Sequence, residues 1–171
     1  SIEIISSSIR DANKKIYESS QENEVYRGMG TTLSAGLILD NVLIYSNIGD
    51  SRIYKINKDM EQITKDDSFV NYLIEIGEIT EEEAKNHPKK NVLTKAMGTT
   101  PDIEVIVNTL NIEEKDIFLF CSDGLTNMVS DEDIFKIVKE NSPEDARDKL
   151  LDLALKNGGM DNITFILVFN E

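Results

Sequence analysis

The sequence predicts an α+β fold in which helices flank a mainly antiparallel sheet. Apolar residues recur at helical spacing near the start, β-rich runs separated by turn residues follow, and helices and strands occur in blocks. Strict alternation of strands and helices would instead predict a parallel sheet. The 171 residues, of which 40% are hydrophobic, are sufficient for one domain with a buried core.

The first part of the chain is predicted as one helix followed by strands. Isoleucine and alanine side chains at helical spacing predict an amphipathic helix over roughly residues 2–20, and the polar, Gly-rich residues 21–30 are typical of a loop. Strands joined by short turns are then predicted, in the order of an antiparallel meander, at Thr31–Leu39, Val42–Ile48, Arg52–Ile56 and Met60–Thr64.

Residues 65–92 are predicted as a small helical insertion on the sheet. One short helix ends at Gly77, and the capping box that starts at Thr80 opens another. After the apolar segment Leu93–Met97, further strands are predicted at Ile103–Asn108, Ile117–Cys121 and Ile163–Phe169. Two helices precede the last strand, Asp131–Lys139 capped by Ser130 and Pro143–Lys156 capped by Ser142.

The charge balance excludes several functions. The chain has 18 Lys and Arg against 32 Asp and Glu, a net charge of −14. Binding to nucleic acid or to an anionic membrane needs clustered cations, so neither partner is expected. Carboxylates can instead hold Mg²⁺, Mn²⁺ or Ca²⁺, although acidity can also serve solubility alone.

The cysteine and histidine counts narrow the chemistry further. Cys121 is the only cysteine and His87 the only histidine, so a disulfide within the chain, a Cys-based zinc site and a Ser-His-Asp system are all disfavoured. A reduced, cytoplasmic location is expected.

Two short polar segments interrupt the apolar pattern beside predicted strands. Asp123 follows one strand, and Asp161 precedes another. If these strands are antiparallel neighbours, both aspartates lie at one end of the sheet. The same reasoning applied to the predicted hairpin adds Gly30 and Asp50 to this rim.

Such a group of carboxylates is typical of a metal site. Neighbouring carboxylates repel one another unless a divalent cation neutralises them, and oxygen ligands favour Mg²⁺ or Mn²⁺ over Zn²⁺. Two such ions about 4 Å apart can hold a phosphate group and acidify a water molecule. The alternative, that each aspartate only stabilises a turn, stays open at this point.

Six short motifs follow one another along the chain, at Gly28–Leu33, Asn47–Arg52, Ile79–Ala84, Asn91–Gly98, Cys121–Leu125 and Gly158–Thr164. In this order they resemble the motifs of bacterial type 2C protein phosphatases, the metal-dependent PPM family. The resemblance implies two stacked antiparallel sheets flanked by helices, forming one type 2C phosphatase-like domain. It also implies hydrolysis of phosphoserine and phosphothreonine by a water that bridges Mg²⁺ or Mn²⁺ ions. Phosphorylated proteins, and a serine/threonine kinase with its substrates, are the implied partners.

The resemblance also implies roles for individual residues. Asp123 and Asp161 match ligands of the second metal, and Asp50 matches a ligand of a third metal. Residues 65–92 match the flap beside the active site, where His87 would approach substrate phosphate or would simply be a surface residue. The residues expected to shape the backbone near the site are Gly30, Thr31, Gly124 and Asn162.

One departure from the family pattern is large. No Asp-Gly motif precedes the first helix, although the family carries a metal-bridging aspartate there. We therefore expect an N-terminally incomplete domain with weakened metal binding and weak or no catalysis. The sheets would have exposed edges, which favour self-association. A non-catalytic phosphatase-like binding module is the alternative.

Overall fold

The computed structural model describes residues 1–170. These residues form two compact units, each built from two separate stretches of the chain. The first unit combines residues 1–50 with 65–110, and the second combines residues 51–64 with the residues from 111 onward. Within the described residues, no helix is both long and apolar enough to span a membrane.

Seven strands and six helices are described, besides a 3-10 turn at Glu24–Tyr26. The helices are α1 (Ile2–Glu22), α2 (Phe69–Glu75), α3 (Glu81–Lys85), α4 (Asp123–Thr126), α5 (Asp131–Glu140) and α6 (Pro143–Lys156). The strands are β1 (Leu33–Leu39), β2 (Val42–Ile48), β3 (Arg52–Ile56), β4 (Met60–Gln62), β5 (Asn108–Asn111), β6 (Ile117–Cys121) and β7 (Phe165–Phe169).

The strands form two separate sheets. One has the order β1-β2-β5 and the other the order β4-β3-β6-β7. The pairs β1–β2, β3–β4, β3–β6 and β6–β7 are antiparallel. The predicted α+β class with antiparallel sheets is thereby confirmed.

In the first unit, α1 contacts a tight turn at Gly98 and the residues that follow this turn. The buried amide of Asn13 donates to the carbonyls of Thr100 (3.0 Å) and Pro101 (3.2 Å), and its oxygen accepts from Gly98 N (2.7 Å). A β-carbon on Gly98, whose φ is +81°, would lie 2.2 Å from Ile16 Cγ2. Only glycine therefore fits this turn.

The second unit has the larger core. One face of β3 and β6 packs against α5 and α6, because Leu119 and Tyr54 on the sheet and Leu150 on α6 are fully buried in one cluster. Helix α5 presents Ile134 and Val138, four residues apart, to the same cluster. An apolar stripe at this spacing is what an amphipathic helix buries against a sheet.

Asp116 lies at the centre of a hydrogen-bonded network in the second unit. Its side chain is fully buried, and its carboxylate accepts from Asn57 Nδ2 (2.6 Å) and Glu113 N (2.7 Å). Lys55 Nζ lies 3.1 Å from Asp116 Oδ2. The backbone carbonyl of Asp116 accepts from Asn170 N (3.0 Å), so this residue joins β3, the β5–β6 connection and the end of β7.

The predicted meander over residues 31–64 is wrong, because β2 and β3 belong to different sheets. The hairpin β1–β2 is present, with Leu39 opposite Val42 and Asp40 in the left-handed region that such turns require. After β2, Gly49 N donates to the Asp67 carboxylate, and the Gly49 carbonyl accepts from Asp67 N. The chain therefore leaves the β1–β2 pairing at this point.

The strand predicted at Ile103–Asn108 is also wrong in its position. Ile103 is buried and Val105 packs beside it, which explains the strand-like pattern. The Ile106 carbonyl, however, accepts from the Ser46 hydroxyl (2.8 Å) instead of a strand amide, and regular pairing begins only at Asn108. The segment Leu93–Met97 forms isolated bridges with Ser68 and Thr31.

Helix α6 offers a measurable test of its predicted cap. The Ser142 hydroxyl accepts from Asp145 N (3.2 Å), and Pro143 occupies the first turn. Ser142→Ala is expected to lower the free energy of unfolding by about 1 kcal/mol, whereas Ser142→Gly lowers it by only a few tenths. Urea denaturation followed by circular dichroism measures both. Equal losses for the two variants would contradict a capping role.

Candidate metal site

The candidate site in the second unit is built where β6 ends and β7 begins. Cys121 and Phe165 are the last opposed pair of these strands. Beyond them, Ser122 N donates to the Thr164 carbonyl (2.9 Å), and Thr164 N donates to Ser122 Oγ (3.1 Å). The pairing therefore continues past the regular strands and holds the two polar segments side by side.

The close approach of these segments depends on Gly124. A β-carbon at this position would lie 2.2 Å from the Asn162 carbonyl oxygen and 2.9 Å from its carbon. Since that neighbour is backbone, no side-chain rotation relieves such a clash. Asp123 directly precedes Gly124, and Asp161 directly precedes Asn162. Both aspartates therefore lie at the same end of the sheet, as predicted.

Each aspartate has one carboxylate oxygen engaged by a local hydrogen bond. Half-buried Asp123 begins α4 and accepts from Asn127 Nδ2 (3.2 Å). Exposed Asp161 accepts from the backbone N of Asn162 (2.7 Å). These bonds fix the orientation of both carboxylates while leaving them acceptors only, as ligands of a hard cation must be.

The donor chemistry of this pair fits Mg²⁺ or Mn²⁺. Both ions prefer oxygen ligands, and a Mg²⁺ site commonly has one or two carboxylates completed by water and substrate oxygens. In the part of the chain that the structure describes, no three His, Cys, Asp or Glu residues are grouped as a metal site. That Asp123 and Asp161 together hold such an ion stays a prediction.

The remaining predicted rim residues belong to the first unit. Because Leu33 pairs with Ile48, the residues that precede β1 and those that follow β2 lie at the same end of this hairpin. A β-carbon on Gly49 would lie 2.5 Å from Thr32 Cγ2, which places Asp50 close to the Gly-rich loop. That Gly30 and Asp50 share a rim with the aspartates of the second unit stays a prediction.

The Gly-rich loop lines a cavity of the first unit. Thr31 and Met97 exchange backbone hydrogen bonds of 3.1 Å and 2.8 Å. A β-carbon on Gly30 would lie 3.1 Å from the Met97 carbonyl oxygen. The loop and the segment around Lys95 enclose about 540 Å³. This tight contact limits the size of the side chain at position 30, and the expected role of Gly30 near a metal site stays a prediction.

His87 lies in the insertion at residues 65–92. Its Nδ1 accepts from Lys89 N (3.1 Å). Its ring centroid lies 6.1 Å from that of Phe69, and Lys89 Nζ lies 5.1 Å from the same Phe69 ring. These contacts give His87 a structural role in the insertion, and its approach to substrate phosphate stays a prediction.

Sequence reasoning did not single out Asn127, and it named Ser122 only as part of the polar segment that follows β6. Asn127 lies four residues after Asp123, the spacing at which side chains meet on a helix. That spacing would have revealed the contact if residues 123–126 had been predicted as a helix. Ser122 resembles an ordinary strand-end serine, and only the pairing with Thr164 reveals its role.

The sheets and the paired aspartate segments define a known class of protein. A family model described as protein phosphatase 2C matches residues 2–153. The chain belongs to this family, which confirms the resemblance found in its motifs. Protein phosphatase PhpP of Streptococcus pneumoniae is 45% identical over 158 residues, covering 91% of this chain and 64% of that protein. Serine/threonine phosphatase stp of Listeria innocua is 39% identical over 162 residues, covering 94% of this chain and 64% of that protein.

Solved structures resemble the fold closely. Serine/threonine phosphatase Stp1 from Staphylococcus aureus matches with a TM-score of 0.95 and 43% identity, over 99% of this chain and 67% of that one. The catalytic domain of PstP in complex with two manganese ions matches with a TM-score of 0.87 and 35% identity, over 97% and 69% of the two chains. This chain spans 64% of the length of the two curated relatives named above.

Proposed function

We propose that this chain carries metal-binding residues of a phosphatase that hydrolyses phosphoserine and phosphothreonine in proteins. The observation that carries the proposal is the contact between Gly124 and Asn162, which brings the Asp123 and Asp161 segments together. Family membership supports the reaction class, and the manganese-bound relative supports the type of metal.

In the proposed hydrolysis, the cation and the protein side chains have different roles. Mg²⁺ or Mn²⁺ bound here would neutralise phosphate charge and favour ionisation of a water nucleophile. Asp123 and Asp161 would hold the cation. Asn127 keeps the Asp123 carboxylate oriented, and Ser122 keeps the two segments together. Such supporting contacts typically change metal affinity about 10- to 100-fold when they are removed.

Three finer assignments belong to this proposal. Asp50 contributes to a third metal, and residues 65–92 act as a flap in which His87 approaches substrate phosphate. Phosphorylated proteins, including a serine/threonine kinase and its substrates, are the partners. Because residues 1–171 contain no Asp-Gly motif before α1, where the resemblance implies a metal-bridging aspartate, we expect weak metal binding and slow hydrolysis for residues 1–171 alone.

Manganese binding tests the proposal without relying on activity. Mn²⁺ broadens the NMR signals of nearby nuclei, so we expect amides around Asp123 and Asp161 to broaden first. Asp123→Asn and Asp161→Asn should each weaken this binding by about tenfold or more, and Asn127→Ala by about tenfold. Asp152→Asn, which alters an exposed carboxylate on α6, serves as the matched control and should have no effect.

Two results would count against this site. One is broadening that starts elsewhere, for example at the acidic first turn of α5. The other is a Mn²⁺ affinity unchanged in both aspartate variants while their circular dichroism stays native. Hydrolysis of p-nitrophenyl phosphate and of a phosphothreonine peptide, measured with Mn²⁺, then tests the reaction class separately from the metal site.

A further inference from the structure

Asp67 joins three segments of the first unit through its side chain and its backbone. Its carboxylate accepts from Gly49 N (3.1 Å), and its own backbone N donates to the Gly49 carbonyl (2.9 Å). Its carbonyl accepts from Thr94 N (2.8 Å). The turn that follows β2, the start of the insertion at residues 65–92 and the segment after this insertion therefore meet at one residue.

Asp67 lies where the two ends of the insertion close on each other. Phe69 N donates to the Val92 carbonyl (2.8 Å), so the two ends are bonded directly. We call residues 66–69 together with residues 92–94 the neck of the insertion. Because Asp67 is bonded both within the neck and to the turn after β2, a movement of either one strains the bonds that hold the other.

The turn after β2 is held from two sides. Its Gly49 has a φ of +98°, a conformation that favours glycine. Asn47 Nδ2 donates to the Gly49 carbonyl (3.1 Å) and to the Lys65 carbonyl (3.4 Å). The backbone that leads into Asp50 is therefore fixed by Asn47 at the end of β2 and by Asp67 in the neck.

We propose that Asp67 is a positioning residue that couples the conformation of the neck to that of the Gly49–Asp50 turn. The inference rests on the proposed function, in which Asp50 holds a metal and residues 65–92 act as a flap. A carboxylate suits this role, because the hydrogen bond that it accepts from a backbone N–H is stronger than a bond between neutral groups. Asp67 acts through Asp50 and needs no contact with the cation or with substrate.

Such coupling makes cation binding and the order of the insertion depend on each other. A cation at Asp50 favours one arrangement of the turn and, through Asp67, stabilises the neck. By linkage, a ligand that orders the insertion raises the affinity for the cation by the same factor. Couplings of this kind typically change affinity about 5- to 150-fold.

Amide hydrogen exchange without metal tests the coupling directly. Asp67→Ala removes the carboxylate that accepts from Gly49 N, whereas the Phe69 and Thr94 amides keep their carbonyl partners. We expect the exchange of both these amides to become about tenfold faster, because a hydrogen bond to a charged group contributes about this factor or more. Asp67→Asn keeps one oxygen acceptor and should lie between Asp67→Ala and the wild type.

Two further variants provide a second test and a control. Asn47→Ala removes a side chain that is bonded to neither Phe69 nor Thr94, yet it loosens the turn and should also speed their exchange. This variant decides the proposal if Asp67→Ala fails to fold. Asp102→Ala, at an exposed carboxylate of the same unit, should leave both amides unchanged.

Mg²⁺ distinguishes positioning from a merely structural role. Saturating Mg²⁺ should slow the exchange of the Phe69 and Thr94 amides at least about fivefold in the wild type. It should not do so in Asp67→Ala, where the coupling is lost, or in Asp50→Asn, where the proposed ligand is weakened. If Asp67 only stabilised the fold, Mg²⁺ would slow exchange in Asp67→Ala by the same factor as in the wild type.

Three results would overturn the coupling. They are faster exchange of Gly49 alone in Asp67→Ala, equal slowing by Mg²⁺ in Asp67→Ala and the wild type, and the same acceleration in Asp102→Ala. Failure of the proposed function looks different. If Mg²⁺ changes neither the exchange rates nor the chemical shifts around Asp50 in the wild type, the metal role of Asp50 is wrong, and the metal-free series alone decides the coupling.

Discussion

Gly124→Ala is expected to lower the free energy of unfolding by about 3 kcal/mol and to abolish the Mn²⁺ binding proposed at Asp123 and Asp161. The added methyl would lie 2.2 Å from the Asn162 carbonyl oxygen, so the two segments must separate. Overpacking of this kind costs about 1–3 kcal/mol. The hydrogen bonds between Ser122 and Thr164 contribute about 1 kcal/mol each and would be strained by the separation. Urea denaturation and Mn²⁺ broadening in NMR measure the two effects.

Gly77→Ala is the control for Gly124→Ala. A β-carbon on Gly77 meets no atom within 4 Å, although its φ of +75° is strained for alanine. That variant should lose about 1–2 kcal/mol from the strain alone and keep its metal binding. If Gly124→Ala bound Mn²⁺ like the wild type, the close approach of the two segments would not be what forms the site.

Asp116→Ala is expected to lower the free energy of unfolding by about 4 kcal/mol. Removing one partner of a buried ion pair leaves the other without compensation, which costs about 3–5 kcal/mol. Here the Glu113 N–H loses its acceptor. The Asn57 amide keeps only the Glu114 carbonyl (3.3 Å), and the Lys55 ammonium keeps only Glu113 Oε2 (4.0 Å). Asp116→Asn, which keeps the shape and one oxygen acceptor, should lie between alanine and the wild type. Thermal and urea unfolding measure the series, and a loss below about 1 kcal/mol for alanine would contradict the network.

The contribution of Asp116 should also depend on pH in one direction. Burial alone would raise the pKa of its carboxyl, but hydrogen bonds from Glu113, Asn57 and Lys55 outweigh burial and lower it. The stabilisation is therefore fully present above the pKa of an unfolded aspartate, about 3.9, and is lost as the pH falls through the lower folded pKa. The difference in unfolding free energy between wild type and Asp116→Ala should shrink below about pH 4. A constant difference down to pH 2 would contradict this assignment.

Helices with local signals were predictable, and partner choice between strands was not. Ser130 and Thr80 predicted where their helices begin, because each side chain caps its helix by accepting from the backbone N three residues later. The bounds of β2 and β3 also followed from their apolar runs. Their separation into two sheets depends instead on Gly49 bonding to the distant Asp67, which no local pattern reveals. Which strands pair with each other therefore depends on contacts between residues that are distant in the sequence.

The same contrast applies to the candidate site. The neighbouring positions of Asp123 and Asp161 followed from one assumption, antiparallel pairing of β6 with β7, and the structure has that pairing. Helix α4 was not predicted because it has four residues and a glycine, so Asn127 was missed. The need for glycine at position 124 is visible only once the Asn162 carbonyl is in place.

The division of both units between two stretches of chain governs how this protein must fold. Opposing Arg52 to Cys121 in the second sheet requires residues 65–110, which belong to the first unit, to be looped out between them. Closing a loop of about 70 residues costs roughly 4 kcal/mol in chain entropy before the pairing compensates for it. On the ribosome, the second sheet is completed only when β7, the last strand that the structure describes, has been synthesised. No single proteolytic cut releases either unit whole, because each unit contains two separated stretches.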